Sequence, residues 1–146
     1  MIAIACDHAG VELKNSIIQL LRERGLTYTD FGTNTRESVD YPDYAKAAAD
    51  AVASGHAERG ILICGTGIGM SIAANKVRGI RCALCGDVFS AEAARRHNDS
   101  NVLALGARVT GEGLALKITE VWLDTRFDDA DDPNGRHRRR IARIEG

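Results

Sequence analysis

Residues 60–77 read GILICGTGIGMSIAANKV. The run 61–64 is wholly apolar, rich in β-branched side chains and too short for a helix, which is the signature of a strand buried on both faces. Gly65, Gly67 and Gly69 then space a loop of nearly bare backbone, and helix-forming residues resume over about 68–77. A buried strand, a glycine loop and a helix make half of a βαβ unit. The same alternation repeats in both directions. Strands are predicted at 2–6, 27–31, 80–85 and 102–105, and helices at 11–24, 43–54, 88–96 and 112–123. Gly25 and Gly55 close the first two helices, and Pro42 opens the second. Five near-continuous apolar strands joined by helices predict a three-layer α/β/α sandwich with a mainly parallel sheet. The chain is too short for an eight-stranded barrel.

The 146 residues carry no repeat or low-complexity linker, so one domain over 1–146 is expected. A net charge of −1 gives no global field toward nucleic acid or an acidic membrane. The opening MIAIAC has no basic leader and no apolar run is long enough to span a bilayer, so the expected location is cytoplasmic. Cys82 and Cys85 have CxxC spacing, but on a strand three residues apart point to opposite faces, and no second pair completes a zinc site. They are read as core thiols. Residues 124–135, DTRFDDADDPNG, read as a solvated acidic loop before the basic run RHRRRIARIE, which forms a helical tail.

In open α/β sheets ligands sit beyond the carboxyl ends of the strands. That edge receives Asp7 and His8 after the first strand, and Cys64 with Thr66 after the third. The GTGIG loop can cradle a phosphate or stabilise an oxyanion, or be only a tight turn. A dinucleotide fingerprint would need glycine where Met70 stands. Cys64 beside a helix N-terminus has the setting of a reactive thiol, though core cysteines also occupy such positions. Thr66 can donate to that sulfur or to substrate, or serve its own backbone. His97 in RRHND is either an acid–base group or a helix cap together with Asn98. His56 reads as surface. No histidine spacing suits a metal, so neither metal nor cofactor is expected.

The segments CDHAG, DYPDYA, GILICGTGIGMSIAANKVRGIR, RRHND, NVLALGARV and GRHRRR, in this order, resemble the ribose-5-phosphate isomerase B family, which also includes galactose-6-phosphate isomerase subunits. The resemblance spans nearly the whole chain. It implies a Rossmann-like fold and aldose–ketose isomerisation of a small sugar phosphate through a cis-enediolate, without metal. It also implies a homodimer or homotetramer whose sites are completed by the neighbouring subunit. By position, Cys64 resembles the base that moves the proton, with Thr66 orienting it and the backbone of Gly65, Gly67 and Gly69 stabilising the enediolate. His97 resembles the residue that opens the sugar ring, with Asp7 near the ring oxygens, and Asn98 and Tyr41 line the sugar. His8, Arg108, Arg136 and Arg140 match phosphate-binding positions. One branch of the family uses a glutamate at the helix start, where this chain has Met70. The 124–135 segment is longer than usual, which bears on where Arg136 and Arg140 fall. A tetrose, a hexose or an unphosphorylated sugar is the alternative substrate, and a non-catalytic nucleotide- or sugar-binding module the alternative function.

Overall fold

The computed structural model describes residues 1–128 and 132–146. Its elements, in chain order, are β1 (Ile2–Cys6), α1 (Val11–Glu23), β2 (Tyr28–Asp30), α2 (Tyr41–Ala53), β3 (Arg59–Cys64), α3 (Ile68–Ala74), β4 (Cys82–Leu84), α4 (Val88–Asn98), β5 (Val102–Gly106), α5 (Glu112–Asp124) and α6 (Arg136–Glu145). The strands form one sheet in the order β2-β1-β3-β5-β4, and every pair is parallel. The α/β/α sandwich expected from the alternation is therefore present, with a sheet that is parallel throughout.

The strand sequences explain the layers. Ile2, Ile4, Cys6, Ile61, Ile63, Leu103 and Leu105 point to one face, where they meet Leu13, Ile17 and Leu21 of α1 and Ile118 and Trp122 of α5. The alternate residues Ala3, Ala5, Leu62, Cys64, Val102 and Ala104 face α2 and α3. Small residues on this second face match the alanines of α2, among them Ala45, Ala48 and Ala49, and let that helix lie close to the sheet. Cys85 belongs to the first core and Cys82 packs against the second, as three-residue spacing on a strand requires. Burial pushes the thiols of Cys6 and Cys85 up to about 11 and that of Cys82 up to about 12, which suits inert core groups.

Strand order reverses between β1 and β3, since the chain adds β2 on one side of β1 and then β3, β5 and β4 on the other. The crevice at the carboxyl ends of those two strands is the ligand position of this architecture. At the opposite, amino-terminal edge, α4 ends at Asp99, which adopts a left-handed conformation with φ 44°. His97 and Asn98 therefore lie within the last turn of α4, and the capping position sequence reading offered them belongs to Asp99. Arg95 fixes this turn by donating to the Asp99 carboxylate (2.8 Å) and the Ser100 carbonyl (2.6 Å). Arg81 adds Nε–H bonds to the carbonyls of Asn98 (3.0 Å) and Asp99 (3.2 Å). Trp122, fully buried, donates its indole N–H to the Ser100 hydroxyl at 2.7 Å.

Within the acidic stretch, read as a solvated loop, Asp124 is exposed, whereas the side chains of Asp128 and Asp132 are largely covered. Asp124 pairs with Arg24, Asp128 accepts two bonds from Arg96 Nε (3.0 and 2.9 Å), and Asp132 accepts the His137 backbone N–H at 2.6 Å. The Arg96–Asp128 pair ties the strap after α5, residues 125–128, to the end of α4, while Asp132 holds the start of α6 and Asp124 ties α5 to the end of α1. Residues 129–131 of that stretch lie outside the described residues.

Candidate active site

Cys64 ends β3 with its side chain 5% exposed, and its sulfur accepts the Gly67 backbone N–H at 3.1 Å. The loop can make this return because Gly67 has φ 78°, a left-handed conformation that costs glycine little. A Cβ there would also lie 2.9 Å from the Leu105 backbone carbonyl carbon. Gly67→Ala is accordingly expected to lower stability by about 1–3 kcal/mol or more and to detach the amide from the sulfur. Chemical denaturation would measure the first effect, and the thiol's alkylation rate the second.

Thr66 is exposed, and its hydroxyl accepts the Ile68 N–H at 3.2 Å. It thus serves its own backbone, and the group that meets the Cys64 sulfur is an amide. Ser71 N–H closes the first turn of α3 on the Gly67 carbonyl at 3.0 Å. The amides of Gly69 and Met70 therefore precede the first intrahelical bond. Met70 itself is fully buried, so the place where a carboxylate could stand is a core position.

Neighbouring elements close around this loop. The Asp7 N–H bonds the Ile63 carbonyl at 3.1 Å, which seats the β1 terminus beside β3. The Asp7 carboxylate is buried and accepts the Ala9 N–H at 2.9 Å. His8 Nδ1 accepts the Val39 N–H at 3.2 Å, an arrangement that leaves Nε2 as the proton-bearing nitrogen of the neutral ring. Tyr41, the first residue of α2, lies against Gly69 so closely that a Cβ there would sit 2.6 Å from its ring. Arg108, just past β5, donates its backbone N–H to the Gly65 carbonyl at 2.9 Å and lays its side chain over Gly65. Asp7, His8, Tyr41, Cys64, Gly65, Thr66, Gly67, Gly69 and Arg108 are thus gathered at one edge of the sheet.

His97, Asn98, Arg136 and Arg140 are not among them. His97 and Asn98 end α4 at the amino-terminal edge, where the Asn101 carbonyl accepts the Gly60 N–H. Gly60 lies four residues before Cys64, about 13 Å along an extended strand, so this edge is remote from the Cys64 loop. Arg136 and Arg140, exposed and four apart, lie on α6, whose His137 packs on His97. Sequence reasoning passed over His137. Its ring is buried and stacks on that of His97, with centroids 4.6 Å apart and planes 11° from parallel. The one available signal was its place in the GRH segment, one residue from an expected phosphate ligand.

Among the described residues, no helix is long and apolar enough to cross a membrane, and no three histidine, cysteine or acidic side chains gather as a metal site. Large apolar side chains are instead exposed around the Cys64 loop. Thr66, Ile68, Leu84 and Val109 line a cavity of about 290 Å³, and Ile72 and Phe89 are also open.

Known proteins resemble this chain over nearly its whole length. The chain is 49% identical over 143 residues to a ribose-5-phosphate isomerase B of Escherichia coli, covering 98% of this chain and 93% of the relative. It is 52% identical over 128 residues to a D-erythrulose-4-phosphate isomerase of Pectobacterium atrosepticum, covering 87% and 84%. Among solved structures, a ribose-5-phosphate isomerase B of Clostridium thermocellum superposes with a TM-score of 0.94 at 51% identity, over 99% of this chain and 94% of that one. A family profile described as Ribose/Galactose Isomerase matches residues 2–144. The profile spans nearly the whole chain and the fold superposes throughout, so the chain belongs to the ribose/galactose isomerase family.

Proposed function

We propose that this protein interconverts a small aldose phosphate and its ketose, with ribose 5-phosphate and ribulose 5-phosphate as the preferred pair. The observation that carries the reading is the Cys64 sulfur at the carboxyl edge of the sheet, bonded to a loop amide, with buried Met70 in place of a carboxylate. His97 opens the furanose: the anomeric hydroxyl loses its proton, the C1–ring oxygen bond breaks, and the freed oxygen is protonated. The Cys64 thiolate then takes the C2 proton. The electron pair left behind forms the C1–C2 double bond of a cis-enediolate, and negative charge moves to O1. Loop N–H groups between Gly65 and Gly69 stabilise that oxygen, with Thr66 beside them. Cys64 returns its proton to C1, and the hydroxyl proton of O2 passes to O1. Asp7, Asn98 and Tyr41 bind the sugar oxygens, and His8, through Nε2–H, shares the phosphate with Arg108, Arg136 and Arg140. The free cysteines suit a reducing, cytoplasmic setting.

The division of these residues between two edges favours a site shared by two copies of the chain, each supplying His97, Asn98 and α6 to its neighbour's Cys64 loop. The apolar side chains exposed beside that loop, Ile68, Ile72, Leu84 and Val109, suit the same contact. Complementation tests this reading. Cys64→Ala and His97→Asn subunits are each expected to be nearly inactive alone on ribose 5-phosphate. Randomly mixed in a dimer with shared sites, they should regain about a quarter of wild-type activity, because half the dimers are hybrid and each hybrid rebuilds one of two sites. If mixtures stay as inactive as the parents, the site is not shared. The relative active on a four-carbon sugar motivates assays on aldose phosphates of four to six carbons.

A further inference from the structure

His137 is the buried side chain of an otherwise solvent-facing helix. Nothing in the proposed chemistry uses it, yet much of the surrounding structure serves to seat it. Asp132 accepts its backbone N–H at 2.6 Å, and Arg136 Nε approaches its Nε2 at 3.4 Å. Asp128 draws the strap onto α4 through Arg96 and through its own N–H on the Arg96 carbonyl at 3.0 Å. The Arg96 guanidinium foremost, and then the His97 and His137 rings, hold the Asp128 carboxyl below the usual carboxylate range. One cluster therefore joins the end of α4, the strap and the start of α6. Within it, His97 is half-buried, and among the described residues its ring makes no hydrogen bond. Imidazole χ2 is broad and two-fold when nothing restrains it. The face-to-face contact with His137 supplies that restraint.

We infer that His137 is a positioning residue, whose stacked ring holds the His97 imidazole in the orientation needed to open the sugar ring. The inference rests on the ring-opening role given to His97 above. Helix α6 would then offer Arg136 and Arg140 to the phosphate from positions next to the buried His137.

The test compares His137→Ala, which removes the stack, with His137→Phe, which keeps an aromatic ring but no imidazole nitrogen. Kinetics are read on ribose 5-phosphate and on a four-carbon aldose phosphate, whose phosphorylated O4 prevents furanose closure. The His97 ring protons are followed by NMR. Misorienting a reacting group costs about tenfold or more in rate. His137→Ala should thus lose about tenfold in kcat on the pentose with KM little changed, and spare the tetrose. Its His97 ring signals should move downfield as the ring current of the stack disappears, and His137→Phe should recover most of both effects. Unaltered pentose kinetics or unmoved His97 signals in the alanine variant would overturn the inference. So would a folded phenylalanine variant as impaired as alanine, since the nitrogens of His137 rather than its stack would then matter. His97→Asn serves as the control. If it fails to discriminate pentose from tetrose, the ring-opening role falls, while the NMR signals still decide whether His137 orients His97.

Discussion

Cys64→Ala is expected to lower kcat by about two to four orders of magnitude with KM nearly unchanged, the usual cost of removing a general base. That is about 3–5 kcal/mol of transition-state stabilisation. The size follows from the loop's composition. Between Gly65 and Gly69 the only side chains with more than hydrogen are Thr66 and Ile68, and the next position is the buried thioether of Met70. No neighbour in that loop can take the C2 proton. Alanine also leaves the Gly67 N–H without its sulfur acceptor, a loss of roughly 1–3 kcal/mol in stability. Cys64→Ser separates the two effects, because its hydroxyl can accept the amide yet is a far weaker base. Both variants should still bind the ketose phosphate by calorimetry. Near-wild-type turnover in either one removes Cys64 from the mechanism.

Loss of one arginine proposed to bind the phosphate comes next in size. Charge-assisted hydrogen bonds to a dianion contribute about 1.5–3 kcal/mol each, so Arg136→Ala and Arg140→Ala should each weaken phosphate binding by about one to two orders of magnitude. Binding energy at the phosphate can also be expressed at C1 and C2, so kcat should fall as KM rises. The two guanidiniums lie four apart on α6 and share a side of the helix. Arg139 instead reaches back to the Asn134 carbonyl, and Arg138 lines a cavity with Asp99, Phe127 and Ile141. Alanine at 138 or 139 should therefore change kcat/KM little. An unphosphorylated sugar should not distinguish the four variants. Equal damage from all four on ribose 5-phosphate would point to the helix rather than to two particular side chains, and no damage from any would remove the tail from phosphate binding.

The sheet and the cysteine loop were legible in the sequence because their determinants are local. A strand buried on both faces must be apolar at every position, as 61–64 are, and a return from that strand into a helix needs glycine at a left-handed position, as at Gly67. The resemblance of the remaining segments carried the residue roles but not their placement. Three matters needed the tertiary structure. Thr66 and Gly67 both had a polar hydrogen to offer the Cys64 sulfur, and only backbone geometry decides that the amide reaches it. The acidic stretch reads as solvent-facing by composition, yet Asp128 meets Arg96, thirty-two residues away, and a local window cannot show that pairing. The last is the separation of His97 from Cys64. Helix direction alternates with strand direction, so a residue ending α4 must lie at the edge opposite the one where β3 ends. By itself the sequence determined the alternation of strands and helices and which strand residues share a face of the sheet. The packing of α6 against α4 decided that His97 and His137 form one stacked pair, because a contact between residues forty apart depends on where the strap sets the helix down.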